Sequence, residues 1–423
     1  MPNDIIITPG SRNISFQDAS NPIVNLQVTS SALYVNSGKG IIYATASYAL
    51  NSAGGGGGGI GGSGTTNTIP KFTASTTLGN SIAIDATHSL TINGITAGRG
   101  PGNISSNAVF GYKALRSNST GIWNSAFGYY SLANNIGGVG NSAFGQNALR
   151  YNVTGGSNSA FGNGALRNNT SASGNSAFGI QALLNTTTGG GNSAFGSGVM
   201  RYNVGGIRNS AFGASSLYKN VSGKGNSAFG YKALYSTTTN NNNAFGYLAL
   251  ASNSTGINNN AFGYKALTLN TTGAKNSAFG HSSLRQNLVG SKNTAFGYYT
   301  LAANTTNNNS AFGYKALVSN TTAFNNSAFG YLSLASNTIG SLNSAFGSFS
   351  LASNTTGNRN NAFGYKALSN NISGNRNNAF GYQALNKNTS GIANSAFGHR
   401  ALKYTTTGSV NCAFGLYALS SNT

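Results

Sequence analysis

Acidic side chains are nearly missing from this sequence. Its 423 residues include three carboxylates, Asp4, Asp18 and Asp85, and no Glu. Beyond residue 85 the paired carboxylates of glycosidases, the Ser-His-Asp relay and the oxygen cages of hard metal ions have no acid to build on. One cysteine, Cys412, excludes an intrachain disulfide framework and a cysteine-rich zinc site. No run of about 18 apolar residues occurs, and the opening MPNDIIITPGSRNISF has no basic stretch ahead of an apolar one. Neither a transmembrane helix nor an ordinary secretory signal is expected, and the chain is read as having no enzymatic activity and no cofactor. Charged residues make up 6% of the chain, against about 25% in a typical soluble protein.

The charge that is present is one-sided. Residues 1–100 carry Arg12, Lys39, Lys71 and Arg99 against the three Asp, four minus three, a net of +1. The other 20 of the 24 Lys and Arg lie in residues 101–423 with nothing to offset them, and the formal net charge is +21. Such a field draws polyanions: nucleic acid, lipopolysaccharide, acidic glycans or a membrane surface. It also keeps long repetitive objects from bundling, so charge alone chooses no partner.

What dominates the chain is a repeat. From Phe110 to Phe414, Phe recurs in 19 copies at intervals of 17 residues, with two intervals of 16, at 229–245 and 296–312. The unit reads N-S-A-F-G-Y-K-A-L-x-x-N-x-T-G-x-x. Asn stands three residues before every Phe and Gly follows every Phe. Leu lies five residues after it, replaced once by Met200, and Asn lies eight residues after it except where Thr186, Thr237 and Thr405 stand. A unit of 17 residues is too short for a helical pair, and Gly, Asn, Ser and Thr are poor helix formers.

These features predict an all-β fold: a repetitive β-solenoid or β-roll of about 19 coils, with small N-terminal β segments. Asn and Gly are the expected left-handed turn sites. Stacked coils place Phe over Phe, Leu over Leu and Asn over Asn, so that Asn124, Phe127, Gly128 and Leu132 meet Asn141, Phe144, Gly145 and Leu149 one coil on. At strand spacing the array would extend about 90 Å. One coil buries little apolar surface for 17 ordered residues, which favours several copies wrapped together, three above other numbers, over a single-chain solenoid.

Tyr stands two residues after Phe in ten copies, and in five of them Lys follows. The pairs are Tyr112 and Lys113, Tyr231 and Lys232, Tyr264 and Lys265, Tyr314 and Lys315, and Tyr365 and Lys366. Rings beside ammonium groups suit acidic glycans or other polyanions, whereas a packing ladder with surface hydroxyls needs no ligand. His281 and His399 occupy the Tyr position and read as replacements for it, not as metal ligands. Cys412 occupies the Ser position and reads as a buried or half-buried inert thiol. Several Asn fit the N-x-[ST] acceptor pattern, among them eleven from Asn118 to Asn388 that stand eight residues after a Phe, yet Asn-x-Thr-Gly is equally turn chemistry and no glycan is expected.

At N-S-A-F-G-Y-K-A-L the sequence resembles the N-[ST]-A-[IF]-G-x-x-A-L repeats of phage tail-fibre proteins. More loosely it is similar to the N-S-x-A-x-G repeats of trimeric autotransporter adhesin heads, which are left-handed parallel β-rolls assembled as trimers. TTNTIPKFTASTTLGNSIAID (65–85) resembles the IPKFT…TLGNS segment ahead of phage fibre shafts, and ATASYALNS (44–52) resembles a second short fibre segment. The resemblance implies a parallel homotrimeric fibre of a phage-like virion, attached to a virion protein by its N-terminus and meeting a host-surface glycan or other polyanion, with no membrane insertion. It also implies a C-terminal chaperone beyond LYALSSNT. A bacterial trimeric surface adhesin and a self-assembling extracellular filament are the alternatives. The expected organisation is an N-terminal β module (1–52), a Gly-rich linker (53–64), a short β neck (65–106) and the repeat shaft (107–423).

Overall fold

A computed structural model describes residues 13–18, 21–29, 32–36, 68–74, 77–85, 89–102 and 104–422. The Gly-rich linker and the 44–52 segment lie outside the described residues. The chain divides into two compact units, Met1–Asn93 and Gly94–Thr423. In the first, β1 (Asn13–Asp18), β2 (Asn21–Thr29) and β3 (Ala32–Asn36) form a three-stranded antiparallel sheet in that order. Further along, β4 (Thr68–Ala74) pairs antiparallel with β5 (Thr77–Asp85), which pairs antiparallel with β6 (Ser89–Ile92).

The second unit opens with β7 (Ile95–Gly98) antiparallel to β8 (Ala108–Tyr112). From β8 onward every strand is parallel to the next, one strand per coil, from β9 (Ser125–Phe127) to β26 (Cys412–Phe414). Each is three residues long from β9 on, and each pairs in register, Ala on Ala and Phe on Phe. The register follows from size. The middle Ala of each strand points into the coil and is fully buried at every interior rung, while Phe points out. A slip of one residue would drive Phe into a space that admits only a methyl group.

Successive Phe rings lie 4.4–4.8 Å apart, centroid to centroid. That is the spacing of neighbouring strands, about 4.7 Å. Each coil therefore advances the chain by one strand spacing, and the nineteen rungs from β8 to β26 make a rod about 85 Å long. The fold is an all-β parallel β-solenoid.

Its core is thin and continuous: the strand Ala, a second small residue and the Leu of each coil, stacked along the axis. The Leu is fully buried from Leu115 to Leu402, and it is also left-handed, with φ of 48–52° from Leu115 to Leu419. That conformation costs a branched residue about 1–2 kcal/mol, and complete burial of the side chain returns about 1.5–3 kcal/mol. The expectation that Asn and Gly carry the turns is therefore corrected. Gly after Phe is left-handed, as are Asn241, Asn258, Asn308 and Asn325, but so are the Leu and the residue three after Phe, and Asn124 and Asn141 are not. Turning the chain at Leu aims its side chain inward, and no glycine does that. The Gly after Phe is required for a second reason. At Gly263 φ is +136°, and a Cβ there would sit 2.5 Å from the carbonyl oxygen of Gly280 in the next coil.

Two Asn ladders run inside the rod. The Asn141 N–H and Nδ2 both donate to Asn124 Oδ1, at 3.0 and 3.2 Å, and Nδ2 also donates to the Gly155 carbonyl at 2.8 Å. In the second ladder Asn152 Nδ2 donates to Asn135 Oδ1 at 2.7 Å and to the same Gly155 carbonyl at 2.9 Å. Both ladders are fully buried in the interior coils. The two 16-residue coils keep their strand register because the missing residue comes out of the loop beyond the second ladder. There a threonine hydroxyl reaches the next coil's carbonyl instead: Thr239 Oγ1 donates to Gly256 O at 2.6 Å, and Thr306 Oγ1 donates to Ala323 O.

Candidate functional site

The outer wall of the rod carries the features that can meet a partner. The first is the Phe row. Phe127 to Phe414 form one unbroken stack, with ring planes within 10° of parallel. The rings cover one another's faces and leave their rims open, so interior Phe are half-buried, with Phe127 37% exposed. An uncharged Ser or Asn (Thr294 and Cys412 once each) two residues before Phe and Gly after it flank the row, and neither brings charge to it.

The second is the Tyr row. Tyr231, Tyr247, Tyr264, His281, Tyr298, Tyr314 and Tyr331 stack in sequence at 4.8–5.5 Å. Shorter stacks join Tyr112 to Tyr129 and Tyr365 through Tyr382 to His399. His281 and His399 take Tyr places in these stacks. The sequence pairs come together as contacts. The ammonium of Lys113 lies 5.1 Å from the Tyr112 ring centroid, Lys232 5.2 Å from Tyr231, Lys265 4.9 Å from Tyr264, Lys315 5.2 Å from Tyr314 and Lys366 5.1 Å from Tyr365. The cause is local: each of these Lys has φ of 52–55°, which folds its side chain back over the preceding ring.

Inside these stacks the ring faces are already occupied. What the row offers to solvent is hydroxyl groups, ring edges and ammonium groups. Hydrogen bonding to Tyr130, then to Tyr112, holds the Lys113 ammonium above its ordinary pKa, and the same contact lowers the Tyr130 phenol. Tyr231 raises Lys232 in the same way. Further cations lie six or seven residues after Phe, such as Arg150 over Tyr130 at 4.5 Å, and four before it, such as Lys275 and Lys292 in consecutive coils. These last two the sequence reading did not single out, although their spacing of 17 residues puts one above the other.

The eleven N-x-[ST] asparagines that stand eight residues after a Phe all fall in the second buried ladder, Asn118 at 4% exposure and the other ten at zero, so the folded rod withholds them from glycosylation, whereas Asn308 and Asn325, which fit the same pattern, are exposed. Cys412 corrects an expectation: it is exposed, not buried, because it stands in the last rung, where no following rung covers the Ser position. Among the described residues no group of His, Cys, Asp and Glu is placed to hold a metal ion, and no helix is long and apolar enough to cross a membrane.

Rod, buried amide ladders and aromatic outer rows together define the class: a structural β-solenoid whose chemistry is on its lateral surface. No known protein family, curated protein or solved structure matches the chain.

Proposed function

We propose that the chain is the shaft of a fibre on a phage-like virion, with three copies lying in parallel, their Phe rows facing a shared axis and their basic walls outward. The N-terminal module attaches to the particle, and the Tyr and Lys rows meet polyanions on the host surface through ammonium and hydroxyl groups. The virion setting draws on the resemblance of residues 65–85 and of the repeat to phage fibre segments.

The observation that carries the assembly is the Phe row. Eighteen stacked rings with open rims leave on the order of 1,000 Å² of apolar surface. A monomer's largest patch is about 300–600 Å², and a stable interface takes about 800 Å² from each partner. The row is also a strip without charge between basic strips, so copies that join through it keep their cations apart.

Light scattering on the purified chain tests this. A mass of three 43.0 kDa chains is expected. A monomer at micromolar concentration refutes the assembly, and an open-ended polymer replaces it with a filament.

A further inference from the structure

Near the end of the array the outer wall is concave and strongly positive. Lys366, Lys387 and Lys403 come from three consecutive coils, three, seven and six residues after Phe363, Phe380 and Phe397. With Gln383, Asn386 and Tyr404 they line an open hollow of about 380 Å³. Its floor is fixed: Asn386 is 7% exposed, and its Nδ2 donates to the Lys366 carbonyl at 3.0 Å. Its rim is partly fixed as well, with the Lys403 ammonium 4.8 Å from the Tyr404 ring and Lys366 beside Tyr365. Coils about 4.7 Å apart bring three ammonium groups within roughly one Debye length of one another. No carboxylate exists anywhere in the array to offset them.

We propose that this hollow is a subsite for an anionic sugar, one hexose-sized unit bearing a phosphate or a carboxylate. Its volume is at the small end of ligand sites, which run from about 300 to 1,000 Å³. The ammonium groups donate to the anion, and the Gln383 amide and Tyr404 hydroxyl exchange hydrogen bonds with sugar hydroxyls. A single-stranded nucleic acid fits less well. It needs open ring faces to stack on, and here Lys403 lies over Tyr404 and the Tyr row covers itself. The inference rests on the basic wall of the reading above and is independent of the assembly of three chains.

The test is calorimetric titration of the full chain with mannose 6-phosphate, digalacturonate, plain mannose and a short oligothymidylate. One or both acidic sugars bind and mannose does not; which of the two binds more tightly tells phosphate from carboxylate. Replacing Lys366, Lys387 and Lys403 together by Gln lowers that affinity at least about tenfold. Removing the same charge elsewhere, with Lys275→Gln, Lys292→Gln and Arg376→Gln, changes it less than about twofold. Should the first triple variant misfold, Lys387→Gln alone, at an exposed position, still weakens binding about threefold. Equal losses in the two triple variants, no binding of either acidic sugar, or tighter oligothymidylate binding that depends on the three Lys would each overturn the proposal. A chain that assembles with the expected mass yet ignores both sugars loses the hollow and keeps the shaft.

Discussion

Replacing Asn259 by Ala tests whether the inner ladder carries the rod. Asn259 Oδ1 accepts from the Asn276 N–H at 3.0 Å and from Asn276 Nδ2 at 3.1 Å, while its own Nδ2 donates to Asn242 Oδ1 and to the Gly273 carbonyl. Three of the four partners keep another bond: Asn276 Nδ2 to Gly290, Asn242 Oδ1 from the Asn259 N–H, and Gly273 from Asn270. The Asn276 N–H has no substitute. One orphaned buried donor costs about 1–3 kcal/mol, and three weakened sites add roughly 1 kcal/mol each at most. The sum, about 3–5 kcal/mol, is roughly a 150-fold to 5,000-fold loss of protection. Hydrogen exchange read by mass spectrometry should show it in peptides spanning residues 270–280. Peptides at 345–355 should change less than about threefold, since coils contact only their neighbours. A loss below tenfold at Asn276 refutes the ladder as a source of stability, and an equal loss throughout the array refutes nearest-neighbour coupling. Asn259→Asp sharpens the test. It keeps the acceptor but lacks a donor while ionised, and burial raises its pKa. Its protection should therefore be highest at acidic pH, with the proton on, and fall as pH rises through the folded value.

Gly263→Ala should cost about 4 kcal/mol or more, from φ of +136° and a contact with a backbone oxygen; limited proteolysis is expected to cut the array near that coil, and an intact rod would contradict it. Lys113→Ala should raise the Tyr130 titration midpoint, followed by phenolate absorbance, because the neighbouring ammonium is what lowers it; an unchanged curve removes that contact. Phe262→Ser with Phe279→Ser should weaken the three-chain particle at constant circular dichroism, since these rims face outward. Asn253→Thr should be tolerated better than Asn259→Thr. At the Asn253 row a Thr hydroxyl already serves as acceptor, as Thr237 Oγ1 does for Asn253 Nδ2 at 3.1 Å, whereas the Asn259 row must accept from a backbone N–H and an amide together.

The solenoid, its rungs and its amide ladders were legible because a defect at one repeat position is repeated nineteen times, so each position declares its task. Asn three before Phe never varies, and it is the side chain whose oxygen takes a backbone N–H. The left-handed Leu was not legible, because propensity assigns such turns to Gly and Asn and only the closed coil shows that Leu must turn inward. Nor was the occupancy of the Tyr faces, which depends on ring tilt and not on spacing. The lysine hollow was hidden for another reason. Its three residues stand at three different steps of the repeat, so a reading by columns never sets them side by side.

Each coil hands the next the same surface that it received. Cutting out one 17-residue unit, or duplicating one, would rejoin matching faces without a new kind of contact. The rod's length is thus a counted quantity, adjustable in steps of about 4.7 Å, and a gene that gains or loses a repeat changes reach while leaving every junction as it was.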